Sequence, residues 1–232
     1  MSLVIAAATV YQREAYTSPG MTLRFEALIR LLERRLEEAS LPGAEAQIRM
    51  APVRNGALER LEVRNRSCRE AGVLMMLLPV EDAPHVVLTI RRDHLSQHAG
   101  QVSFPGGRRE AGEPLLQTAL REAQEEVDLL PGDVEVIGEM TPLFIPPSNY
   151  CVYPFLGFTR QRPVLRPHDF EVDRIVELPL SLLLEDSAVR RERWTVRGEE
   201  VLVPFFDVAG LQIWGATAMM LAELVALARD DE

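Results

Sequence analysis

The sequence of 232 residues contains no lysine, only two cysteines and no long apolar run. Without lysine, a Schiff base and a phosphate-binding loop that depends on lysine are excluded. Cys68 and Cys151 are too few for a disulfide scaffold or a cysteine-rich zinc site, which favours a reduced, cytoplasmic setting. Every apolar segment is far shorter than the ~20 residues that cross a bilayer, so we expect a soluble protein with no membrane partner.

The charge balance excludes a further class of partner. The chain carries 35 acidic and 25 basic residues, all of the latter arginine, and its formal net charge is −10. Nucleic-acid-binding proteins usually carry a basic excess, so we expect no nucleic-acid partner. The first ten residues have a short apolar run without a basic start, and we expect no secretory signal there.

The N-terminal part of the chain differs in pattern from the rest. Residues 21–40 place apolar side chains at helical spacing between arginines and glutamates, which predicts an amphipathic helix. The following stretch, up to residue 71, is polar and weakly patterned, which indicates a linker arm. We therefore divide the chain into an N-terminal helix with its linker arm, residues 1–70, and a main domain, residues 71–232.

The main domain alternates between strand and helix patterns. Residues 73–80 form a continuous apolar run and residues 85–90 follow a short turn, which predicts a hairpin of buried strands. Further strands are predicted at 134–140, 152–158 and 174–178, and a second hairpin at 193–196 and 201–206. Helices are predicted at 115–129 and 216–229. This order indicates an α/β or α+β sandwich.

Three glutamates of the predicted helix 115–129 indicate chemistry. Glu122, Glu125 and Glu126 are related by i, i+3 and i+4, so their carboxylates share one helix face and repel one another. A solvated face is the ordinary explanation for two adjacent glutamates. A hard divalent cation such as Mg²⁺ or Mn²⁺ would remove the repulsion, because it binds carboxylate oxygens and keeps positions open for water and phosphate.

The spacing around these glutamates resembles the motif of the Nudix hydrolases. It consists of Gly107, five residues, Glu113, seven residues, and then residues 121–129, Arg-Glu-Ala-Gln-Glu-Glu-Val-Asp-Leu. The sequence departs from the family at Asp128, which stands in a glycine position. That glycine suits a left-handed helix end, which Asp tolerates better than most residues. We therefore expect a strained or re-routed helix exit with metal binding intact.

The resemblance implies a fold and a site. The fold would be a Nudix-type α/β/α sandwich with a mixed sheet, carrying the N-terminal helical extension. Glu122 and Glu126 would be the principal ligands of Mg²⁺ or Mn²⁺, with Glu125 and the carbonyl of Gly107 as further ligands. Glu125 and Glu122 are the candidates for the catalytic base, and the choice between them stays open. The remaining motif residues, Glu113 and Arg121, would pair to hold the loop against the helix.

A narrower resemblance, to the coenzyme A diphosphatases, covers the flanking segments 88–91, 98–107, 171–174, 178–180 and 213–218. Arg91, Arg108 and Arg109 flank the expected site and could bind an anionic substrate, with a solvated surface as the alternative for the adjacent pair. His98, beside the glycine-rich loop, either contacts substrate phosphate or orders that loop. Arg92 and Ser96 depart from that subfamily, whose members usually have a small residue and an arginine there. The missing arginine removes a phosphate contact.

These observations lead to three hypotheses. The first is a metal-dependent pyrophosphohydrolase that cleaves coenzyme A or a derivative into 3′,5′-ADP and 4′-phosphopantetheine. The second, prompted by Arg92 and Ser96, is a hydrolase for ADP-ribose, another dinucleotide or a nucleoside triphosphate. The third is a non-catalytic module that senses a nucleotide. In each case the partner is a small nucleoside phosphate derivative, and a homodimer is left open. Residues 144–147, Phe-Ile-Pro-Pro, are expected to form a pocket wall, and Trp214 to lie in the core.

Overall fold

The computed structural model describes residues 23–38, 41–54, 57–58, 61–92, 100–168, 170–196 and 198–229. The helices in these ranges are α1 (Phe25–Glu37), α2 (Gly43–Ile48), α3 (Leu115–Val127), α4 (Leu180–Leu184) and α5 (Gly215–Ala228). The strands are β1 (Val53–Arg54), β2 (Ala57–Leu58), β3 (Arg69–Val80), β4 (Ala83–Arg91), β5 (Val102–Ser103), β6 (Gly106–Arg108), β7 (Glu135–Glu139), β8 (Leu143–Ile145), β9 (Tyr150–Phe158), β10 (Val172–Pro179), β11 (Val189–Val196), β12 (Glu199–Val208) and β13 (Leu211–Trp214). None of these helices is long and apolar enough to cross a membrane.

A mixed sheet forms the centre of the molecule. Its strand order is β10-β4-β3-β9-β7, with β5, β6 and β8 paired at β4, β3 and β9. β3 and β9 run parallel, and the remaining pairs are antiparallel. A smaller antiparallel sheet has the order β11-β12-β1-β2, with β13 also paired to β12. The predicted mixed α/β fold is confirmed.

The central sheet is covered on both faces, which explains the continuous apolar run of β3. Leu74, Met76 and Leu78 pack with the apolar side of α3, whereas Met75 and Leu77 belong to the larger core with α1, α4 and α5. Since successive strand residues point to opposite faces, each position of β3 has to be apolar when both faces are covered. The central sheet, α3 on one face, and α1, α4 and α5 on the other form the three layers of the predicted sandwich.

Helix α3 lies very close to β3. A Cβ atom at Gly72 would collide with the backbone of Leu115 and Ala119 in α3, so only glycine permits this approach. The helix was predicted to continue to residue 129 but ends at Val127, because Asp128 adopts the left-handed conformation with φ 59°. The expected re-routed helix exit is therefore present. An Asp at that position accepts a conformation that glycine would adopt without a steric cost.

The segment predicted as an irregular linker arm is more ordered than its composition indicates. It contains α2 and the two short strands β1 and β2, and β1 pairs with β12 through Val53 and Leu202. Met50 and Ala51 are buried in the larger core. The amide of Gln47 donates hydrogen bonds to the carboxylate of Glu223, at 2.9 Å, and to a backbone carbonyl. The segment thus packs against α5, while the division of the chain at residue 70 stays a prediction.

The two cysteines, for which the sequence analysis expected a reduced state, form a disulfide between Cys68 and Cys151. Their Cα atoms are 5.7 Å apart although 83 residues separate them in sequence. Cys151 is buried in β9, and Cys68 immediately precedes β3. The bond therefore ties the end of the 61–68 segment to the neighbouring strand of the central sheet.

Candidate active site

The candidate site lies between helix α3 and the short strand β6, which precedes α3 in the chain. The two elements are adjacent because β6 pairs with β3, at Gly106–Val73 and Gly107–Gly72, while α3 packs on the same end of β3. The glycines allow a very close approach, since a Cβ atom at Gly107 would collide with the carboxylate of Glu122. The loop backbone and the helix carboxylates are thereby brought into direct contact.

Glu113 and Arg121 form the ion pair that the motif implied. Nε of Arg121 lies 2.9 Å from Oε1 of Glu113, and the hydroxyl of Thr118 donates to the other oxygen at 2.8 Å. These hydrogen bonds hold the pKa of Glu113 well below its usual range, at about 2, chiefly because of Arg121. Arg121 also donates to the carbonyl of Arg108 at 3.2 Å. The Arg121 guanidinium therefore ties α3 both to Arg108 in β6 and to Glu113, just before the helix.

Glu126 has a very different environment. Its side chain is 7% exposed and accepts one backbone hydrogen bond, from the N–H of Gly106 at 3.2 Å. Its one ion-pair partner among the described residues, Arg91, lies 4.0 Å away. Burial, reinforced by the negative charges of Glu122 and Glu171, raises the pKa of Glu126 to about 7. Among the described residues, only Arg91, at the limit of ion-pair distance, compensates the ionised form of this carboxylate.

Glu122 and Glu125 lie on either side of Arg121. The carboxylate of Glu122 is 2.9 Å from Nη1 of Arg121, and that of Glu125 is 3.2 Å from the same atom. Burial raises the pKa of Glu122 in spite of this contact, and the charges of Glu125 and Glu171 act in the same direction. Glu125 is 59% exposed and is the most accessible of the three helix carboxylates. The three predicted ligands therefore share one helix face, and their exposure increases from Glu126 through Glu122 to Glu125.

Glu171 is a member of this cluster that the sequence analysis did not assign as a site residue. It directly precedes β10, and its carboxylate lies 3.8 Å from Nη2 of Arg91. Arg91 therefore lies between Glu126 on α3 and Glu171 on the neighbouring segment. The motif 171–174 was quoted for its resemblance, but only the pairing of β10 with β4, at Val172–Arg91, reveals that it borders the site.

Two other predicted site features have different outcomes. His98 and Ser96 lie outside the described residues, so the expected role of His98 stays a prediction. Arg109, one of two adjacent arginines near the glycine-rich loop, pairs with Glu70 at 2.6 Å and does not line the cavity beside the site.

The donor set fits a hard divalent cation. All side-chain donors are carboxylate oxygens, they share one helix face, and burial raises the pKa values of two of them, Glu122 and Glu126. Within the described part of the chain, no three His, Cys, Asp or Glu side chains already surround one metal position. Arg121 lies within ion-pair distance of both Glu122 and Glu125.

A cavity of about 970 Å³ opens beside this cluster. It begins at Gly106, Gly107 and Arg91 and extends between the central sheet, β13 and α5. The predicted wall residues 144–147 line it, as does Trp214, which was expected in the core. Other apolar lining residues are Leu61, Val73, Val152, Val196, Met219 and Met220. Segments far apart in sequence therefore build one largely apolar chamber next to the carboxylates.

Known proteins provide an independent comparison. The chain matches the family model described as the NUDIX domain over residues 69–198. It is 36% identical over 157 residues to "Uncharacterized Nudix hydrolase NudL" of Photorhabdus laumondii, a match covering 67% of this chain and 83% of that protein. It is 33% identical over 181 residues to "Mitochondrial coenzyme A diphosphatase NUDT8" of Homo sapiens, covering 76% and 75%.

A solved structure supports the fold. The crystal structure of a Nudix hydrolase from M. Smegmatis, RenU, aligns with a TM-score of 0.50 and 16% identity, covering 72% of this chain and 92% of that one. The family match spans more than half of the chain and includes every carboxylate of the site. The prediction of an enzyme is confirmed, and the alternative of a non-catalytic module is not. The chain belongs to the Nudix family and is a hydrolase that acts on diphosphate bonds.

Proposed function

We propose that the protein hydrolyses the diphosphate of coenzyme A or one of its derivatives and releases 3′,5′-ADP and 4′-phosphopantetheine or its acyl form. The observation that carries the proposal is the cavity beside the carboxylates, because its walls suit a long uncharged arm. A compact nucleoside triphosphate has no such group to place there. The relative from Homo sapiens that is named a coenzyme A diphosphatase supports the same substrate class.

Glu122 and Glu126, with Glu125 and the carbonyl of Gly107, would hold Mg²⁺ or Mn²⁺, which when bound neutralises diphosphate charge and lowers the pKa of a water molecule. Nudix hydrolases generally use divalent metal ions. The N–H of Gly106 fixes one oxygen of Glu126, so the direction of this carboxylate is set by the loop backbone.

The other groups of the site bind the substrate and move a proton. Arg91 presents a guanidinium at the start of the cavity, where it can orient a diphosphate. In the reaction, a water oxygen bonds to one phosphorus, the bridging P–O bond breaks, and a carboxylate accepts the proton of the water. Glu125, which is exposed, and Glu122 are the candidates for this acceptor.

Initial rates over a panel of diphosphates test the substrate. The panel contains coenzyme A, acetyl coenzyme A, coenzyme A disulfide, ADP-ribose, NADH and ATP, each with Mg²⁺ and with Mn²⁺. We expect the highest kcat/KM for a compound of the coenzyme A type. A clear preference for ADP-ribose would overturn the substrate while leaving the diphosphate chemistry intact. Glu126→Gln, assayed in parallel, controls for contaminating hydrolases.

A further inference from the structure

Two arginines of the cavity have no carboxylate partner among the described residues. The arginines beside the site carboxylates have acidic partners: Arg91 lies by Glu126 and Glu171, and Arg121 by Glu113. Arg69 and Arg108 line the same cavity, but no described carboxylate lies within ion-pair distance of either. Both side chains are exposed, so their positive charges are accessible to an anionic ligand.

The strand register places these two arginines side by side. Arg108 in β6 is directly opposite Ala71 in β3, and Arg69 lies two residues before Ala71 on the same strand. Since alternate residues of a strand share a face, both side chains belong to the face that lines the cavity. Diagonal neighbours of this kind are about 7–8 Å apart, within reach of long side chains. The two positive charges repel each other unless an anion lies between them.

Arg69 is also held in place. Its guanidinium stacks 4.3 Å from the centre of the Tyr150 ring and donates a hydrogen bond to the carbonyl of Ser148. Tyr150 and Ser148 themselves line the cavity. A stacked guanidinium loses little further freedom when it binds a ligand, so it is prepared to bind an oxyanion through its remaining N–H groups. Arg108 follows Gly107 directly, so it lies next to the backbone that contacts Glu122.

We propose that Arg69 and Arg108 bind a phosphomonoester on the nucleoside side of the substrate, separate from the diphosphate that is cleaved. The inference rests on the proposed function, because in coenzyme A that group is the 3′-phosphate. A phosphomonoester carries about −1.5 to −2 charges at neutral pH and three acceptor oxygens, which two guanidinium groups satisfy better than one. The site would distinguish coenzyme A from diphosphates that lack this second phosphate.

Equilibrium binding of two nucleotides tests the site without hydrolysis. Isothermal titration in Mg²⁺ compares 3′,5′-ADP with 5′-AMP, which differ only by the 3′-phosphate. We expect 3′,5′-ADP to bind about tenfold more tightly or better, since its 3′-phosphate gains charge-assisted hydrogen bonds from two guanidinium groups. Arg69→Gln and Arg108→Gln should each reduce this ratio toward one. The matched control is Arg191→Gln, at an exposed position of β11 outside the cavity, and it should leave the ratio unchanged.

Three results would overturn the inference: equal binding of the two nucleotides by the unaltered protein, no binding of 3′,5′-ADP at millimolar concentration, or an unchanged ratio in both cavity variants. Melting temperatures of the variants verify that they fold. Kinetics then separate this inference from the proposed function. Arg69→Gln and Arg108→Gln should raise KM for coenzyme A while changing kcat and the KM for dephospho-coenzyme A little.

The two proposals fail in different ways. If coenzyme A and dephospho-coenzyme A are hydrolysed with equal kcat/KM, the proposed function holds and the phosphomonoester site is wrong. If coenzyme A is not hydrolysed while 3′,5′-ADP still binds through Arg69 and Arg108, the proposed substrate is wrong and the site stands for another nucleotide bisphosphate.

Discussion

Glu113 and Glu126 belong to one sequence motif, yet the fold places them in opposite electrostatic environments. Glu113 accepts hydrogen bonds from Arg121 and Thr118, and its pKa falls to about 2. Glu126 is buried, its one described ion-pair partner, Arg91, lies 4.0 Å away, and its pKa rises to about 7. The first carboxylate is compensated by the chain itself, and the second requires positive charge from outside it.

This difference separates a structural role from a binding role within the same motif. Compensation of Glu113 stabilises the connection between the loop and α3, because its ionised form is favoured in the folded state. The lack of compensation at Glu126 costs stability, and proteins retain such groups where a ligand provides the missing charge. The contrast therefore predicts opposite responses of the two positions to substitution.

The largest expected effect is on turnover in Glu126→Gln. Removing one ionised ligand should weaken Mn²⁺ binding strongly and lower kcat/KM about a thousandfold, because metal ions contribute several kcal/mol of charge stabilisation in the transition state. Titration calorimetry with Mn²⁺ and initial rates on coenzyme A measure both effects. Glu192→Gln, on the exposed strand β11, is the control and should behave like the unaltered protein. Near-normal turnover in Glu126→Gln would contradict the assigned role.

The stability of the metal-free protein should change in opposite directions in the two variants. In EDTA at pH 8, Glu113→Gln should lower Tm by about 4–8 °C through the loss of charged hydrogen bonds. Glu126→Gln should raise Tm, because it removes a buried charge that lacks compensation. Differential scanning calorimetry measures both. If both variants lose stability to the same extent, the distinction between the two carboxylates fails.

Acid titration gives a smaller effect of defined sign. Because the pKa of Glu113 is lower in the folded state than its ordinary value of 4.5, its contribution to stability is fully present above that value. It is lost as the pH falls from about 4.5 toward 2. The free energy of unfolding of the unaltered protein should therefore approach that of Glu113→Gln across this range, as urea titrations would measure. A difference that stays constant down to pH 2 would rule out the lowered pKa.

The smallest effect is expected at the end of α3, where the chain departs from the family motif. Asp128 adopts a left-handed conformation that glycine reaches without strain. Its ion pair with Arg166, at 3.5 Å, contributes little to stability because both side chains are exposed to solvent. Asp128→Gly should therefore raise Tm by about 2–4 °C, whereas Asp128→Ala should not. Turnover should stay within about twofold in both variants, since neither removes a carboxylate of the site. Lower stability in Asp128→Gly would show that the Asp side chain itself holds the helix end.

Local patterns in the sequence predicted those parts of the molecule that depend on neighbouring residues. The turn at Glu81 and Asp82, with φ of 52° and 70°, connects the predicted hairpin, and α3 begins at the predicted residue 115. The three carboxylates share a face because helical geometry alone brings positions i, i+3 and i+4 together. For these features, residue propensities and the periodicity of the sequence are enough to predict the structure.

Contacts between residues far apart in sequence could not be predicted in this way. Glu171 reaches the site because β10 pairs with β4, and Arg69 approaches Arg108 because β6 pairs with β3. Likewise, the Cys68–Cys151 bond requires that β3 and β9 be parallel neighbours. A single sequence contains no local signal for such pairings, since they depend on the order of strands in the sheet.

Product analysis tests the central claim most directly. Coenzyme A is incubated with the protein and Mg²⁺ or Mn²⁺, and the products are identified by mass spectrometry, with the reaction run in ¹⁸O-labelled water. We predict 3′,5′-ADP and 4′-phosphopantetheine in equal amounts, with one ¹⁸O atom in one of the two new phosphate groups. Unchanged coenzyme A under conditions where ADP-ribose is cleaved, or products cleaved at any bond other than the diphosphate, would contradict the account.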